Sequence, residues 1–391
     1  MGEFTTHTLL DLTDSIADNR GRTCPTAESG TPLIATNCLK VGHKYPVYEN
    51  VRYVDRETLS SWFRAHPEPG DVLFVTKGSP GRVAVVPDPV DFCIAQDMVA
   101  LRARRGVVEP GYLYYRLLCA DVRDGIEGLH VGTMIPHFKK GDFDKLEITV
   151  HSDLKKQKAI AEVLGALDDK IAANDEVIVR SQELAALTWS RATRAQESEL
   201  VPLSRLARFV NGRAYTKGAT GTGRVVIRIA ELNSGIGGST VYNDIEVPDD
   251  NVARPGDLLF AWSGSLTVAR WHRPEAIINQ HIFKVVPVDG RPQWLVEHAL
   301  RDKLAEFQAV AADKATTMGH IQRRHLDEPV SIPGHAEARL IGPQMEALTD
   351  QVASFESENL VLAHTRDQLL PLLMSGKVTV KEAEDEIGGL V

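Results

Sequence analysis

The sequence predicts an α+β protein in which two α/β domains are joined by two long helices packed as an antiparallel coiled coil, a pseudo-twofold dumbbell. Three observations predict it. The chain has 391 residues, which is more than one domain usually needs. A set of short segments recurs in the same order 183 to 186 residues later. A 4-3 spacing of apolar residues follows each copy, which is typical of a coiled-coil seam.

The repeat consists of several short segments. Residues 69–74 (Pro-Gly-Asp-Val-Leu-Phe) recur as 255–260 (Pro-Gly-Asp-Leu-Leu-Phe), and Gly78-Ser79 recurs as Gly264-Ser265. Residues 94–97 (Ile-Ala-Gln-Asp) recur as 278–281 (Ile-Asn-Gln-His). Thr133-Met134 recurs as Thr317-Met318, with His137 and His320 close behind. Chance could produce one such match but hardly the ordered set.

Each copy predicts an α+β domain. Apolar runs at 71–76 and 257–262 follow Pro-Gly turns and predict buried strands, as do 83–86 and 282–286. Helices are expected near 110–120 and 293–310. The predicted boundaries are 1–150 for the first domain, 151–199 for the first helical spacer, 200–333 for the second domain, and 334–391 for the second spacer with its tail.

The first spacer predicts one long helix, with Ser152 as its N-cap. Its seam alternates spacings of four and three and includes Ile160, Leu164, Leu167, Ile171, Asn174 and Ile178. The second spacer keeps the same alternation throughout, and Pro343 predicts a helix start near that residue. Its seam runs through Ile341, Met345, Leu348, Val352, Phe355, Asn359, Leu362, Arg366, Leu369 and Leu373.

Each seam carries one asparagine, Asn174 or Asn359. A buried asparagine costs stability but can specify register and partner. The alternative is that each of them faces solvent at a helix edge. Packing the two seams on each other is the simplest way to bury both.

The charge is unevenly distributed along the chain. The formal net charge is −9, which by itself argues against DNA binding. Residues 201–327 nevertheless contain 16 Lys/Arg against 13 Asp/Glu, whereas 328–391 contain 4 against 11. A locally basic DNA-facing patch is therefore compatible with the sequence, but tight salt-resistant binding by the chain alone is not expected.

The sequence favours a cytoplasmic protein. It contains no run of 18 apolar residues and no secretory signal at its start. The four cysteines, Cys24, Cys38, Cys93 and Cys119, form no CxxC pair. They are expected to be reduced and mostly buried, with zinc binding as the alternative.

No catalytic signature is present. The sequence lacks a phosphate-binding Gly-x-x-x-x-Gly-Lys-Ser/Thr loop, a His-Glu-x-x-His motif and a Gly-x-Ser-x-Gly motif. It also lacks the Asn/Asp-Pro-Pro-aromatic tetrapeptide of adenine methyltransferases and an acid-x-Lys pair suited to a nuclease metal. We therefore expect no catalytic residues and no metal site. His130, His137 and His320 are expected to make polar contacts rather than to ligate metal.

Polar, basic and aromatic residues instead cluster around the repeated turns. Arginine and lysine suit phosphates and guanine edges, and glutamine suits adenine. The first domain offers Arg20, Arg22, Lys40, Lys44, Tyr45, Lys77, Ser79, Arg82, Thr133, His137, Lys139 and Lys140. The second offers Arg213, Tyr215, Lys217, Arg228, Trp262, Ser263, Ser265, Gln280, Thr317, His320, Gln322, Arg323 and Arg324. Singly, each could be an ordinary solvated side chain, so their recurrence at equivalent places carries the prediction of DNA binding.

The chain resembles the specificity subunits of type I restriction–modification systems. The resemblance lies in the Pro-Gly-Asp-Val/Leu-Leu-Phe segments, the two Thr-Met segments, residues 156–171 (KQKAIAEVLGALDDKI) and the closing 372–378 (LLMSGKV). It covers nearly the whole chain. The second spacer departs from the family pattern, because residues 335–339 (HAEAR) replace the usual Glu/Gln-rich start.

The resemblance implies a non-catalytic subunit with two target-recognition domains, each reading one half of a split site in double-stranded DNA. It implies a helical spacer that sets the gap and docks two methyltransferase subunits, with restriction or translocase subunits as further partners. No cofactor is implied for this chain, since S-adenosylmethionine and ATP would belong to the partners. The alternatives are another phage-defence complex with the same fold, a coiled-coil scaffold that binds no DNA, and a stand-alone nuclease or methyltransferase, which the missing motifs disfavour.

Overall fold

The computed structural model describes residues 3–19, 22–129, 135–195, 197–313 and 319–388. The chain forms two compact units. The first unit contains residues 1–173 and 361–391, and the second contains 174–360. Each long helix contributes one part to each unit.

The first unit contains three sheets among its described residues. One is the antiparallel pair β1-β9, another has the order β2-β8-β5-β6, and the third has the order β4-β3-β7. The strands are β1 Phe4–Thr8, β2 Thr13–Asp18, β3 Thr31–Ile34, β4 Arg52–Val54, β5 Val72–Val75, β6 Val83–Val85, β7 Cys93–Ile94, β8 Met98–Ala103 and β9 Glu147–His151. The helices before the first spacer are α1 Arg56–Ser61, α2 Pro110–Leu118 and α3 Ala120–Leu129.

The second unit repeats this arrangement with one additional strand, β14, in its third sheet. Its described sheets have the orders β10-β19, β11-β18-β15-β16 and β13-β12-β17-β14. The strands are β10 Glu199–Pro202, β11 Ala207–Asn211, β12 Arg224–Ile227, β13 Val241–Asn243, β14 Val252–Ala253, β15 Leu258–Ala261, β16 Thr267–Arg270, β17 Ala276–Ile278, β18 Ile282–Pro287 and β19 Pro329–Ile332. Two shorter helices, α5 Ile229–Ser234 and α6 Gln293–Asp313, lie between the spacers.

The strand registers show how closely the two units agree. In the first unit β3 pairs in parallel with β7, with Leu33 opposite Cys93 and Ile34 opposite Ile94. In the second, β12 pairs in parallel with β17, with Val226 opposite Ile277 and Ile227 opposite Ile278. The strand predicted at 282–286 is β18, whose counterpart in the first unit is β8 rather than the strand predicted at 83–86, because β8 and β18 occupy the same place in their sheets.

The long helices are α4 Leu154–Thr193 and α7 His335–Met374. Two expectations about their starts are wrong. Asp153 caps α4, since its carboxylate accepts from the Lys155 N–H at 2.8 Å, whereas the Ser152 hydroxyl donates to the Glu3 carbonyl. Helix α7 begins at His335, directly after Gly334, and runs through Pro343. The remaining short helix, α8, spans Val380–Gly388.

Within each unit the two long helices pack on each other. In the first unit, Ile160, Leu164, Leu167 and Ile171 of α4 share a core with Leu362, Leu369 and Leu373 of α7. In the second unit, Asn174 contacts Asn359 and Ser181 contacts Gln351. Residue numbers in α7 therefore fall as those in α4 rise, so the two helices are antiparallel. Of the seam residues in the second unit, Ile341 and Met345 are buried, while Leu348, Val352 and Phe355 are half-buried.

The asparagines of the two seams meet. Asn174 is 2% exposed, and its amide donates to the Asn359 Oδ1 at 2.8 Å and to the Glu358 carboxylate at 3.0 Å. The Asn359 amide donates to Asp175 at 2.8 Å. Asn174 therefore lies inside the helix pair rather than at a solvent-facing edge.

The predicted fold class is confirmed in each unit, where sheets and short helices pack against parts of two long helices. The four cysteines are buried and none forms a disulfide. Among the described residues, no helix is both long enough and apolar enough to cross a membrane.

Candidate nucleic-acid interface

The aspartate of each Pro-Gly-Asp turn is bonded to the neighbouring strand of its own sheet. The Asp71 carboxylate accepts from the Glu68 N–H at 2.8 Å and pairs with Arg102 of β8 at 3.0 Å. This hydrogen bond raises the pKa of Arg102. In the second unit, Asp257 accepts from the Arg254 N–H at 2.7 Å and pairs with Lys284 of β18 at 2.8 Å. Both aspartates thus cap a turn and pair with a basic side chain on the neighbouring strand. The Pro-Gly-Asp segment therefore recurs because it stabilises the fold.

Beyond β5, three segments of the first unit converge at one end of the sheet. The Thr76 N–H donates to the Asp97 carbonyl at 2.9 Å, and the Phe138 N–H donates to the Thr76 carbonyl at 2.9 Å. Lys77 and His137 form an antiparallel bridge. These bonds bring the Gly-Ser turn, the turn before β8 and the segment from residue 135 onward together.

The second unit repeats these contacts beyond β15. The Trp262 N–H donates to the His281 carbonyl at 3.0 Å, and the Ile321 N–H donates to the Trp262 carbonyl at 3.1 Å. Ser263 and His320 form an antiparallel bridge. Backbone contacts therefore identify the equivalent positions: Thr76 with Trp262, Lys77 with Ser263, Asp97 with His281, and His137 with His320.

Five residues predicted to bind DNA come together at this end of the first unit. We call them the first loop surface: Lys77, Ser79, His137, Lys139 and Lys140. Lys77, Lys139 and Lys140 are exposed, and Lys140 pairs with Asp18 at the end of β2. Arg22 is also exposed. Arg20 and Thr133 lie outside the described residues, as does His130.

The equivalent end of the second unit forms the second loop surface. Its exposed members are Arg213, Lys217, Ser265, Gln280, His320, Arg323 and Arg324. Arg213 is joined to the turn before β18, because the Gln280 N–H donates to the Arg213 carbonyl at 2.8 Å. Thr317 lies outside the described residues. The pairing of Lys139-Lys140 with Arg323-Arg324 shifts by one position, since Phe138 and Ile321 are equivalent and Lys140 therefore matches Arg323.

Two aromatic residues lie in the second loop surface with their polar atoms engaged. The Trp262 indole N–H donates to the Asn211 Oδ1 at 2.8 Å, and the Tyr215 hydroxyl donates to the Asn251 Oδ1 at 3.0 Å. Both side chains are half-buried. Ser263 is 6% exposed, so its side chain has little surface to offer a ligand.

Other predicted residues are engaged elsewhere in the fold. Lys44 pairs with Asp169 of α4 at 2.6 Å, and its side chain is 13% exposed. The Tyr45 hydroxyl donates to the same carboxylate, and Lys40 pairs with Glu49. Arg228 pairs with Glu231 at 2.6 Å. Lys40 and Arg82 line a groove of about 900 Å³ beside α7, apart from the residues that form the first loop surface.

The sequence did not single out the residues that support the second loop surface. Asn279 is 7% exposed, and its Oδ1 accepts from the Tyr215 N–H at 3.1 Å. Asn211 binds Trp262, and His281 adopts a left-handed backbone with φ of 74°. In the sequence, only the recurring segment 278–281 points to His281 and Asn279.

The chemistry of these surfaces suits contact rather than catalysis. Exposed arginines and lysines can bind phosphates, and glutamine and histidine can reach base edges. Among the described residues, no group of three histidine, cysteine, aspartate or glutamate side chains could hold a metal ion.

Comparison with known families gives one match. Residues 26–179 match the family model described as the type I restriction modification DNA specificity domain. The resemblance predicted from the sequence is thereby confirmed. That family is one of DNA specificity, in agreement with the expected non-catalytic role. No curated protein sequence matches the chain.

Comparison with solved structures supports the fold. The S subunit of the type I restriction-modification system from M. genitalium matches with a TM-score of 0.58 and 17% identity, covering 95% of this chain and 96% of that one. The HsdS subunit from Thermoanaerobacter tengcongensis matches with a TM-score of 0.38 and 16% identity, covering 96% of this chain and 97% of that one. The conclusion about the fold rests on the first of these.

Proposed function

We propose that this chain is a DNA specificity protein of a type I restriction–modification system, and that its two units read the two halves of a split DNA site. The observation that carries the proposal is the repeat itself. The same hydrogen bonds build the loop end of each unit, yet equivalent positions carry different side chains: Thr76 against Trp262, Lys77 against Ser263, and Asp97 against His281. One framework with two different surfaces is suited to two different half-sites.

The exposed basic residues have a separate role in this proposal. Lys77 and Lys139 in the first loop surface, and Arg323 and Arg324 in the second, would bind phosphates and orient the duplex. Base-edge contacts would come from Ser79 and His137 in one surface and from Gln280 and His320 in the other. Phosphate contacts supply affinity, whereas base contacts distinguish one sequence from another.

Catalysis in this proposal belongs to partner subunits. Methyltransferase subunits, and restriction or translocase subunits with them, would dock on this chain in the cytoplasm and bring S-adenosylmethionine and ATP. The domains assigned to DNA reading are residues 1–150 and 200–333, and the segments 151–199 and 334–391 would serve as spacers. The purified chain alone is expected to transfer no methyl group and to cleave no DNA.

The test is an exchange of one domain followed by mapping of methylated bases in the genome. Residues 1–150 are replaced by the corresponding domain of a homologue, and the matched variant carries a replacement of 200–333. Each exchange should alter one half of the methylated motif and leave the other half unchanged. The two variants should alter opposite halves.

Two results would contradict the proposal. A change in both halves from a single exchange would refute independent reading by the two units. If the chain were a scaffold that does not bind DNA, both variants would leave the methylated motif unchanged. This result counts only if both proteins still assemble with the methyltransferase.

A further inference from the structure

Trp262 is a position at which the two units carry side chains of very different size. The equivalent residue of the first unit, Thr76, is 6% exposed and too small to reach outward, whereas Trp262 is a half-buried indole in the second loop surface. A large aromatic side chain that keeps exposed surface among basic residues is a common anchor of recognition sites.

The Trp262 ring has no polar atom left for a ligand. An indole has a single donor, and here that N–H is bound by Asn211 at 2.8 Å. The exposed part of the ring therefore offers only apolar surface and its π-face. A phosphate would gain nothing from this side chain, but an apolar group on a base would.

The ring is also held in a defined orientation. Its centroid lies 5.0 Å from that of His281 and 5.8 Å from that of Phe283, and the His320 ring lies edge-on at 6.4 Å. Together with the Asn211 hydrogen bond, these contacts fix both the plane and the tilt of the indole. An anchor fixed before binding loses little conformational entropy when the ligand arrives.

The neighbouring turn places Gln280 beside this anchor. Gln280 is exposed, and the next residue, His281, has a left-handed backbone with φ of 74°. The His281 carbonyl accepts from the backbone N–H of Trp262 at 3.0 Å, and this hydrogen bond joins the turn to the tryptophan. An amide side chain and an apolar ring thus lie on adjacent parts of one surface.

We propose that Trp262 and Gln280 together read an A·T pair in the major groove of the half-site bound by the second unit. An A·T pair presents the thymine methyl group beside the N7 acceptor and N6 donor of adenine. The indole would pack on the methyl group, and the Gln280 amide would bind adenine. This inference rests on the proposed function and adds to it the identity of a specificity-determining residue.

The test replaces thymine by deoxyuridine, which removes the methyl group and keeps base pairing. The assembled complex of chain and methyltransferase is titrated with duplexes that carry its methylated motif, with each thymine of the second half-site replaced in turn. Wild type should lose about fourfold in affinity at one of these thymines, since burying one methyl-sized group contributes about 0.8 kcal/mol. Trp262→Ser should bind the thymine and uracil duplexes equally.

Two control variants separate recognition from folding. Trp262→Phe keeps an apolar ring and should retain part of the preference for thymine. Leu200→Ser removes an exposed apolar side chain from β10, outside the second loop surface, and should retain the full preference. Both variants should unfold at temperatures close to that of wild type.

The outcomes are distinguishable. A half-site without an A·T pair, no penalty for uracil in wild type, or an equal penalty in Trp262→Ser would each overturn the role assigned to Trp262. A complex that retains no duplex in a motif-dependent way would overturn the proposed function, and this inference with it.

Discussion

Arg366 of α7 and Asp168 of α4 form a buried ion pair within the first unit. Their Nη1 and Oδ1 atoms are 2.6 Å apart, and the two side chains are 8% and 0% exposed. The second carboxylate oxygen of Asp168 accepts from the Tyr115 hydroxyl at 2.7 Å. Burial and this carboxylate together raise the pKa of Tyr115. The pair joins both long helices to α2.

Arg366→Met should strongly destabilise the first unit. The substitution leaves the Asp168 carboxylate buried without its counter-charge, which typically costs about 3–5 kcal/mol. Amide hydrogen exchange over residues 361–374 should accelerate accordingly. Adding Asp168→Asn removes the stranded charge and keeps an acceptor for Tyr115, so the double variant should recover part of the loss. Unchanged exchange in the single variant would show that the pair contributes little to the stability of the first unit.

Glu297 should make the second unit sensitive to acid. Burial raises the pKa of this carboxyl, but Arg270 at 2.6 Å and Arg301 at 2.9 Å outweigh that effect and hold the pKa below its ordinary value of 4.5. A lowered folded-state pKa contributes stability that is present above the unfolded value and lost as pH falls below it. Glu297→Gln should therefore be less stable than wild type at pH 7 by about 3 kcal/mol, and the difference should shrink below pH 4.5.

Tryptophan fluorescence can follow that transition. Trp189, Trp262, Trp271 and Trp294 lie in the second unit, and only Trp62 lies in the first. The exposed Glu346→Gln serves as a control and should leave the pH profile of unfolding unchanged. A difference between Glu297→Gln and wild type that stays constant from pH 7 to pH 3 would contradict the assignment.

Removing the charges of Arg323 and Arg324 should weaken DNA binding and reduce its dependence on salt. Each phosphate contact contributes about 0.9 to the slope of log K against log salt concentration. The double alanine variant should lower that slope by about 2 in the assembled complex. Arg180→Gln also removes an exposed positive charge, but from α4, and should not change the slope. An unaltered slope in the double variant would place both arginines off the DNA.

Gly212→Ala should disturb the second loop surface through the backbone. A Cβ at this position would lie 2.1 Å from the Asn279 carbonyl oxygen and 2.4 Å from that of Ile278. Neither backbone atom can move without shifting the turn that carries Gln280, so the variant should lose about 1–3 kcal/mol of stability and bind its half-site more weakly. Gly238→Ala meets no atom within 4 Å and should behave as wild type. Equal melting temperatures for both variants would contradict this prediction.

Much of the fold could be predicted because it repeats. The recurring Pro-Gly-Asp segments indicated two similar domains, and both copies form the same capped turn into a buried strand. The 4-3 spacing indicated two long helices. The helix starts were less predictable, since Ser152 and Asp153 both favour an N-cap, and only the hydrogen bond of Asp153 to the Lys155 N–H decides between them.

The candidate site was predictable only in part. Exposed basic residues such as Lys139 and Arg323 could be proposed because their charge alone suggests contact with phosphate. Lys44 could not be told apart from them, because its ion pair with Asp169 joins residues 125 positions apart in the chain. A charged side chain has the same local sequence signal whether it faces solvent or a distant carboxylate.

The sequence by itself determined the two-copy organisation and the helical seams, because repetition and periodicity are visible in the order of residues. Neither requires knowing which residues are in contact. Only the tertiary structure decided which side chains form one surface. Trp262, His281, His320 and Asn211 lie on four separate segments. Backbone hydrogen bonds join Trp262 to His281 before β18 and to Ile321 next to His320, and the indole N–H joins it to Asn211 at the end of β11. Pairing between strands that are distant in the chain brings these residues together, and such pairing cannot be predicted from any short stretch of sequence.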